Sequence, residues 1–554
     1  MNHRLLSIVL LLSMLLSLTG SAWASHPDTA ALLQVFVPDA GAMGRFAATG
    51  LPAYIFLDGF LLTGVSTSRQ SLLEAAGLEY KLLDTDMRGG RYYLAYLRPN
   101  QAAPTWESYG RLLLTGDNYA LLRSTAQAAD RLAAVVLGMQ LISLSPKPLP
   151  DRDAAADIFP EVVTPDPFVQ QIIDQVAGSE IYDLTAGLSG VNPVTIGGES
   201  YTILTRYTGS GEPVQKATQY VGETLSGLGL TVEYHVWDSG KPPNVIGEIP
   251  GLVNFQDIYI IGGHLDDMPD AEVAPGADDN ASGSVATMLA AQIFSQYYWG
   301  CTLRFALWTG EEQGLLGSKA YAQRSYNAGE NILGYLNLDM IAWDATGQPG
   351  IDLHANSDIP ATLDLAQLFA DVITAYSFEL IPEIVPEGTR SSDHSPFWDY
   401  NYVSILGIED MSDFNDYYHT PDDTLDNLNL SYYTEFVKAS LATFAHMSSC
   451  QLPTGALDGT VSEAGSGEPI PGAALVFTDT LGHTFETSTD ADGTYTSLLP
   501  SGVYTAAVTA EGYLPVTLSN ISLAADTLLT LDFELSKIPE PWIIYLPLSL
   551  RNGE

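Results

Sequence analysis

The stretch GGHLDDMPDAEVAPGADDNASG, residues 262–283, places five aspartates, one glutamate and one histidine between a strand and a helix. The apolar run IYII precedes it, and SVATMLAAQIF, which has helical character, follows it. Carboxylates this close together repel one another, so the segment is either a solvated acidic loop or a place where a cation binds. Composition alone favours the solvated loop, because acidic loops are common in a chain with 66 aspartates and glutamates.

Residues 165–450, which contain this stretch, alternate apolar strands with helices. The segment VQKATQYVGETLSGLG, for example, places its apolar residues on one helical face, namely Val214, Ala217, Val221, Leu225 and Leu228. Near-continuous apolar strands separated by helices predict an α/β domain with a mixed, largely parallel sheet flanked by helices. In such open sheets, functional groups gather beyond the carboxyl ends of the strands.

Three of the predicted strands end in acidic residues or histidine. His264 and Asp266 follow IYIIGG, Glu311 and Glu312 follow RFALWTG, and Asp339 closes GYLNLD. Random surface acidity would not select strand ends, so a metal site becomes the better interpretation of the acidic stretch. Zinc takes histidine and carboxylate ligands readily, and two zinc ions that share a carboxylate suit hydrolysis by an activated water.

Six ordered motifs make the resemblance to a known family specific. GGHLDD, APGADDNASG, WTGEEQGLLGS, LNLDM, SSDHSPFW and YYHTPDDTL occur in the order and spacing of the secreted bacterial leucyl aminopeptidases. These belong to the co-catalytic di-zinc exopeptidases, together with glutamate carboxypeptidases and glutaminyl cyclases. The resemblance implies the zinc exopeptidase fold for this domain and two Zn²⁺ ions per chain. It assigns His264 and Asp339 to one zinc, Glu312 and His419 to the other, and Asp278 to both as the bridging ligand.

The same resemblance assigns supporting roles to four other acidic residues. Glu311 is expected to be the general base, which carries a proton from water to the leaving amine. Asp266 is expected to orient the imidazole of His264, because a metal-bound histidine usually donates a hydrogen bond from its other ring N–H to a partner. Asp279 is expected to fix the conformation of the turn after the bridging ligand. Asp393 is expected to contact the metal ligands without binding metal itself.

The chain departs from the family around the motif SDH. Some relatives carry a tyrosine there that polarises the substrate carbonyl, whereas this chain has Thr389, Arg390 and Ser391, with His394 directly after Asp393. His394 is therefore expected to donate a hydrogen bond to the developing oxyanion. A histidine that only packs the pocket wall is the alternative.

The N-terminus, residues 1–24, has the pattern of a secretory signal peptide. MNHR is followed by an apolar core and by the small-x-small site AWA, with cleavage expected after Ala24. We expect a secreted, extracellular protein without stable membrane insertion; a retained anchor and attachment to the cell surface are the alternatives. Export permits a disulfide between Cys301 and Cys450, and two separately buried thiols are the alternative.

Residues 25–148 show two rough half-repeats of strands and helices, which predict a small α+β domain. A Pro- and Asp-rich linker follows at residues 149–164. This domain carries no chemical constellation of its own, and relatives often have a removable N-terminal segment. We therefore expect it to assist folding, to cover the active-site mouth, or both, until proteolysis in the linker releases it. A permanent accessory domain is the alternative.

Residues 455–537 show short β-rich runs broken by Gly, Pro and Asp-Gly turns, which predict an all-β sandwich. The pieces PIPGAALV, DGTY and GVY…EGY resemble the carboxypeptidase regulatory-like domain, and the aromatic residues in them are expected in its core. The tail, residues 538–554, is compatible with an added strand or with a sorting signal.

The net charge and the motifs together limit the classes of function that this protein can have. A formal net charge of −44 makes nucleic acid an unsuitable partner, and the resemblance makes peptides the expected substrates. An aminopeptidase is favoured over a carboxypeptidase or dipeptidase, because the motif segments offer many acids and only Arg390 as a cation. A glutaminyl cyclase, which works with one zinc, and a non-catalytic binding ectodomain are less favoured, because ADDNASG and all five ligands are intact. The oligomeric state is not predicted.

Overall fold

The computed structural model describes residues 30–57, 59–150, 158–160 and 162–539. The predicted signal peptide, half of the predicted linker and most of the predicted tail therefore lie outside the described residues. The described chain divides into two units: the first holds residues 30–249, 256–295 and 303–449, and the second holds residues 250–255, 296–302 and 450–539. Among the described residues, no helix is both long and apolar enough to span a membrane.

Two similar antiparallel sheets of four strands form the N-terminal part of the first unit, as the half-repeats predict. The elements of the first half are β1 (Ala30–Phe36), α1 (Ala40–Ala48), β2 (Ile55–Leu57), β3 (Phe60–Ser66), α2 (Ser71–Ala75) and β4 (Tyr80–Asp84). Those of the second are β5 (Arg91–Tyr96), β6 (Arg111–Thr115), β7 (Tyr119–Ser124), α3 (Ala126–Ala133) and β8 (Gly138–Leu141). The strand orders, β2-β3-β1-β4 and β6-β7-β5-β8, are the same arrangement twice, typical of split βαβ units.

An eight-stranded mixed sheet forms the centre of the first unit. Its strands are β11 (Thr231–His235), β12 (Asn244–Ile249), β13 (Asn254–His264), β14 (Cys301–Trp308), β15 (Asn331–Leu338), β16 (Gly350–His354), β17 (Ile381–Val385) and β18 (Ser404–Glu409). The order is β11-β12-β14-β13-β15-β18-β16-β17, with parallel pairs β13–β15, β15–β18 and β16–β17. The predicted mixed sheet is confirmed, but parallel pairs do not dominate it as expected, since β11–β12, β12–β14 and β16–β18 are antiparallel. Strands β14, β13 and β15 are neighbours at its centre.

Helices cover the central sheet, which explains why its strands are apolar on both faces. They are α4 (Pro167–Gln175), α5 (Gly178–Leu188), α6 (Glu212–Gly227), α7 (Gly283–Phe294), α8 (Leu316–Ala328), α9 (Ala361–Tyr376), α10 (Ser395–Trp398) and α11 (Leu430–Ser448). A small hairpin of β9 (Val194–Ile196) and β10 (Glu199–Tyr201) precedes α6. Four of the five residues predicted on the apolar face of α6 are buried; Leu228 lies just beyond the end of the helix and is partly exposed.

The second unit is the predicted β-sandwich. Its strands are β19 (Thr454–Glu463), β20 (Ala474–Asp479), β21 (Thr484–Ser488), β22 (Thr494–Pro500), β23 (Gly502–Thr509), β24 (Val516–Leu523), β25 (Leu528–Thr530) and β26 (Phe533–Leu535). One sheet has the order β22-β19-β25, with β26 also paired to β19, and the other has the order β21-β20-β23-β24. Tyr495 and Tyr504 are buried in the core, as predicted.

The two cysteines form a disulfide, which decides between the two alternatives left by the sequence. Cys301 and Cys450 are joined with their Cα atoms 5.8 Å apart, and both belong to the second unit. The bond connects residues 149 positions apart in the chain, so it restricts a long loop of the unfolded chain.

Two lysines are buried where the N-terminal sheets pack against the part of the first unit that contains the central sheet. The ammonium of Lys147 contacts the hydroxyl of Tyr400, and that of Lys319 donates to the carbonyl of Leu141. Burial lowers the pKa of Lys319 to about 7, and the nearby charge of Lys147 acts in the same direction. The side chain of Lys319 therefore loses its proton at a lower pH than an exposed lysine does.

Lys319→Met is expected to flatten the rise in unfolding free energy between pH 7 and pH 10. The pKa of Lys319 rises from about 7 in the folded chain to its ordinary value of 10.5 on unfolding, so between these values the unfolded chain binds about one more proton. The unfolding free energy of the wild type therefore increases with pH over this range. The variant lacks this contribution because it has no amine at position 319. Urea unfolding at several pH values measures the slope, with Lys241→Met at an exposed position as the control. Identical slopes in all three proteins would contradict the lowered pKa of Lys319.

Candidate metal centre and active site

Three neighbouring strands bring the predicted ligands to one edge of the central sheet. His264 is the last residue of β13, Glu311 and Glu312 follow the end of β14, and Asp339 directly follows β15. His419 comes from the loop between β18 and α11. Side chains that are far apart in the chain meet here because the carboxyl ends of β13 and β15 lie side by side.

The ligand atoms form two sets that share one carboxylate. In the first set, His264 Nε2 lies 3.2 Å from Asp339 Oδ1 and 3.2 Å from Asp279 Oδ1. In the second set, His419 Nε2 lies 2.8 Å from Glu312 Oε2 and 3.2 Å from Asp279 Oδ2. Each oxygen of Asp279 thus faces a different imidazole, as a bridging ligand between two ions must.

This arrangement corrects the sequence-based assignment of the bridge to Asp278. The carboxylate of Asp278 accepts hydrogen bonds from the Ala342 N–H and from Asn415 Nδ2, both at 2.9 Å, so it is held away from the two imidazoles. Consecutive residues in this turn project in different directions, and only Asp279 faces the histidines. The motif marks this pair of aspartates but does not indicate which of the two faces the imidazoles.

The two histidines are oriented through their other ring nitrogen. The Nδ1 atom of His264 lies 3.0 Å from the main-chain carbonyl of Asp266, whose carboxylate is 4.0 Å away and accepts from Thr208 Oγ1 at 2.7 Å. Asp266 therefore contacts His264 as predicted, although mainly through its backbone. The Nδ1 atom of His419 lies 3.0 Å from the carbonyl oxygen of Ala133, at the end of α3.

Ser392 is a supporting residue that the sequence did not suggest. Its hydroxyl donates to Asp339 Oδ2 at 2.6 Å and accepts from Asn337 Nδ2 at 2.8 Å, which fixes the carboxylate of Asp339. The motif SSDH contains this serine, but a serine beside an aspartate is too common to indicate a role by itself.

Arg206 is a second residue that the sequence did not suggest. Its fully buried guanidinium donates to four main-chain carbonyls of the surrounding loops, those of Leu188, Leu265, Pro275 and Gly276. Its main-chain N–H donates to Asp267 Oδ2 at 2.8 Å. Arg206 thereby connects two parts of the acidic stretch, residues 265–267 and 275–276, and no motif around it in the sequence signals this role.

Glu311 lies beside the ligands with its carboxylate buried. One ligand atom from each of His264, Glu311 and Glu312 lies within 4.8 Å of the others. Burial raises the pKa of the Glu311 carboxyl well above its ordinary value; the charge of His264 opposes this, and that of Glu312 adds to it. A carboxyl group with a raised pKa is suited to take up a proton and to release it again.

Asp393 and His394 do not join the ligand cluster. Asp393 is fully buried beside it, and burial raises its pKa to about 8. His394 donates from Nε2 to the carbonyl of Thr389 at 2.8 Å and packs edge-on against Trp398, while burial lowers its pKa well below the ordinary value. A neutral imidazole that already uses its N–H has none left for an oxyanion, so the predicted donor role is replaced by the alternative of packing.

The donor set fits zinc. Four buried carboxylates and two imidazoles converge, and among the described residues no lysine or arginine forms an ion pair with these carboxylates. Burial alone would lower the pKa of His419, but Glu312 and Asp279 outweigh it and raise that pKa to about 10. The carboxylates therefore stabilise a positive charge at the imidazoles. Carboxylate oxygen and imidazole nitrogen atoms are ligands that zinc binds.

The fold thus brings together two sets of metal-ligand side chains that share the carboxylate of Asp279. Residues 244–444 match the family model described as peptidase family M28, and residues 456–536 match the carboxypeptidase regulatory-like domain. The segment 244–444 is thus similar to the M28 peptidases, and both resemblances drawn from the motifs are confirmed.

Fungal aminopeptidases are among the relatives. The chain is 32% identical over 240 residues to a probable leucine aminopeptidase of Arthroderma otae, covering 41% of this chain and 63% of that protein. It is 30% identical over 246 residues to leucine aminopeptidase 1 of Coccidioides posadasii, covering 42% of this chain and 61% of that protein. The chain therefore spans less than two thirds of the length of these curated relatives.

Solved structures with the same fold come from Legionella pneumophila. LapB has a TM-score of 0.51 and 18% identity, and the match covers 65% of this chain and 99% of LapB. The LapA aminopeptidase has a TM-score of 0.50 and 18% identity, covering 65% of this chain and 98% of LapA. At this identity the likeness establishes the fold.

Proposed function

We propose that this chain is a secreted aminopeptidase that uses two zinc ions to remove N-terminal residues from peptides. The observation that carries the proposal is the carboxylate of Asp279, whose two oxygens each lie 3.2 Å from the imidazole of a different ligand set. The names of the fungal relatives support the choice of an aminopeptidase. The signal-peptide pattern of residues 1–24 supports secretion.

Each side chain of the cluster has a distinct task in this proposal. His264 and Asp339 would hold one zinc, Glu312 and His419 the other, and Asp279 both. Zinc bound there would supply Lewis-acid chemistry and make water a nucleophile at neutral pH. The carboxylate of Glu311 takes a proton as the nucleophile forms and passes it to the leaving amine, so its raised pKa serves both halves of the cycle.

The charges near the site favour recognition of an N-terminal ammonium over a C-terminal carboxylate. Arg390, the cation that the motifs offer, is buried and paired with Asp399 at 3.0 Å. Arg206 uses its guanidinium on main-chain carbonyls. Neither arginine is available to bind the free carboxylate that a carboxypeptidase must recognise.

Removing metal is expected to abolish hydrolysis, and two equivalents of zinc are expected to restore it. The reason is that two ligand sets share Asp279, so both ions are needed for a complete site. The measurement is release of the N-terminal residue from a free peptide after dialysis against a chelator and titration with zinc. The matched control is the same peptide with an acetylated N-terminus, which should resist cleavage because it lacks the ammonium group.

Four results would contradict the proposal. Full activity after exhaustive chelation, or saturation at one ion per chain, would remove the two-zinc mechanism. Release of the C-terminal residue, with equal cleavage of the acetylated peptide, would indicate a carboxypeptidase. Zinc binding without hydrolysis of any member of a peptide panel would indicate a binding domain.

A further inference from the structure

The imidazole of His419 takes its orienting partner from the N-terminal sheets. The Nδ1 atom of His419 lies 3.0 Å from the carbonyl oxygen of Ala133, the last residue of α3. By contrast, His264 uses the carbonyl of Asp266, which lies only two residues further along the chain. Of the two proposed imidazole ligands, only His419 depends on a distant part of the chain.

The segment that follows α3 is fixed against the loops around the cluster. The Tyr418 hydroxyl donates to the Leu137 carbonyl, and the Leu141 N–H donates to the Gly314 carbonyl at 3.1 Å. Gly138 lies so close to Ser391 that an added Cβ would come within 2.6 Å of the Ser391 carbonyl oxygen. Residues 133–141 therefore have a defined position, and the Ala133 carbonyl is held in place.

Apolar packing adds to this attachment. Met139 of β8 lies in one buried cluster with Met268 from the acidic stretch. Leu137 is buried in another cluster, against which Phe414 packs. Removing the N-terminal sheets would expose this apolar surface as well as break the hydrogen bonds.

The main-chain conformation of His419 is one that contacts with other parts of the chain have to stabilise. Its φ of 58° lies in the left-handed region, which non-glycine residues occupy only where the surroundings hold them. The ring is stacked on that of Tyr418, with the centroids 3.7 Å apart. A hydrogen bond from Nδ1–H to the Ala133 carbonyl fixes the tautomer that leaves the Nε2 lone pair facing Glu312 and Asp279.

We propose that the N-terminal α+β domain is a permanent part of the metal centre, because the Ala133 carbonyl positions His419 as a ligand. Ala133 is thus a positioning residue that acts through its backbone, and the domain is not a cover to be discarded. The inference rests on the proposed function, since it concerns a ligand of the proposed second zinc.

Ala134→Pro tests the inference in the full chain. Ala134 is exposed and has φ −67°, which proline adopts, although proline removes the N–H that Ala134 donates to the Leu132 carbonyl. A proline disfavours the helical conformation of the residue before it, so the variant turns the Ala133 carbonyl away from His419. The matched control is Ala126→Pro, at the first position of the same helix, where Thr125 is already extended (ψ 158°) and proline is tolerated.

The primary readout is the number of zinc ions retained against a competing chelator. We expect Ala134→Pro to bind one of its two ions roughly 10- to 100-fold more weakly, while Ala126→Pro matches the wild type. Equal retention of both ions in the two variants would overturn the inference. Higher turnover in Ala134→Pro with both ions retained would also overturn it, because the segment would then act only as a cover. If the wild type itself binds no zinc, the proposed function fails, and this inference with it.

A second measurement tests whether the Ala133 carbonyl positions His419 if Ala134→Pro does not fold. In the zinc-loaded wild type with ¹⁵N-labelled histidine, long-range ¹H–¹⁵N spectra identify which ring nitrogen of His419 carries the proton. We expect that proton on Nδ1 and protected from exchange with water. A rapidly exchanging Nδ1 proton, or a proton on Nε2, would overturn the inference.

Discussion

Asp279→Asn is expected to lose both zinc ions and to lower kcat/KM by at least the roughly 10²- to 10³-fold that follows loss of a single electrostatic stabiliser. The carboxylate of Asp279 faces His264 with one oxygen and His419 with the other, so one substitution affects both ligand sets. An amide has no charge to offset two cations, and its nitrogen is a poor ligand. Zinc content after gel filtration, together with peptide hydrolysis, measures the result.

The control for this prediction is the neighbouring substitution Asp278→Asn. The carboxylate of Asp278 accepts hydrogen bonds from the Ala342 N–H and from Asn415 Nδ2. The NH₂ group of an asparagine at this position would therefore face one of these two donors. We expect a loss of about 1–3 kcal/mol in unfolding free energy, with both zinc ions retained. The reverse pattern, in which Asp278→Asn loses both ions and Asp279→Asn keeps them, would restore the assignment made from the motif and contradict the geometry.

Glu311→Gln is expected to keep both zinc ions and to lower kcat by about 10²- to 10⁴-fold. Glutamine has nearly the shape of glutamate but cannot take a proton from the nucleophile, so binding survives and proton transfer does not. Zinc content and kcat are measured on the same preparation. Glu199→Gln, at an exposed position of β10, is the matched control and should leave both unchanged.

The outcome for KM separates a proton-transfer role from a structural one. Because Glu311 is not assigned to hold zinc, its replacement should change KM much less than kcat. A near-normal kcat would remove Glu311 from the mechanism. Loss of zinc from this variant would instead make Glu311 a ligand.

The central domain was predictable because its signals are local and redundant. Apolar strands such as IYII and RFALWTG are recognisable from single segments, and six motifs in order leave few alternative folds. The same holds for the C-terminal sandwich, whose turns are marked by Gly, Pro and Asp-Gly. The repeated strand order of the N-terminal sheets also follows from its half-repeats.

The site was predictable only down to the level of motifs. The strand ends of β13, β14 and β15 identified His264, Glu311, Glu312 and Asp339, and all four side chains meet at one edge of the sheet. His394 was assigned a donor role because it follows the motif SD, yet its N–H is used by the Thr389 carbonyl. Which hydrogen bond a histidine makes depends on backbone atoms that have no sequence signature.

By itself, the sequence determined the elements, the order of the domains and the residue types that gather at the sheet edge, because hydrophobic periodicity and strand ends are properties of short segments. Only the tertiary structure decided that Asp279 rather than Asp278 faces both imidazoles, because the direction of a side chain in a turn depends on what binds its neighbour. It also decided that His419 lies against Ala133, 286 positions away, because main-chain carbonyls are the same at every residue and acquire a role only through packing.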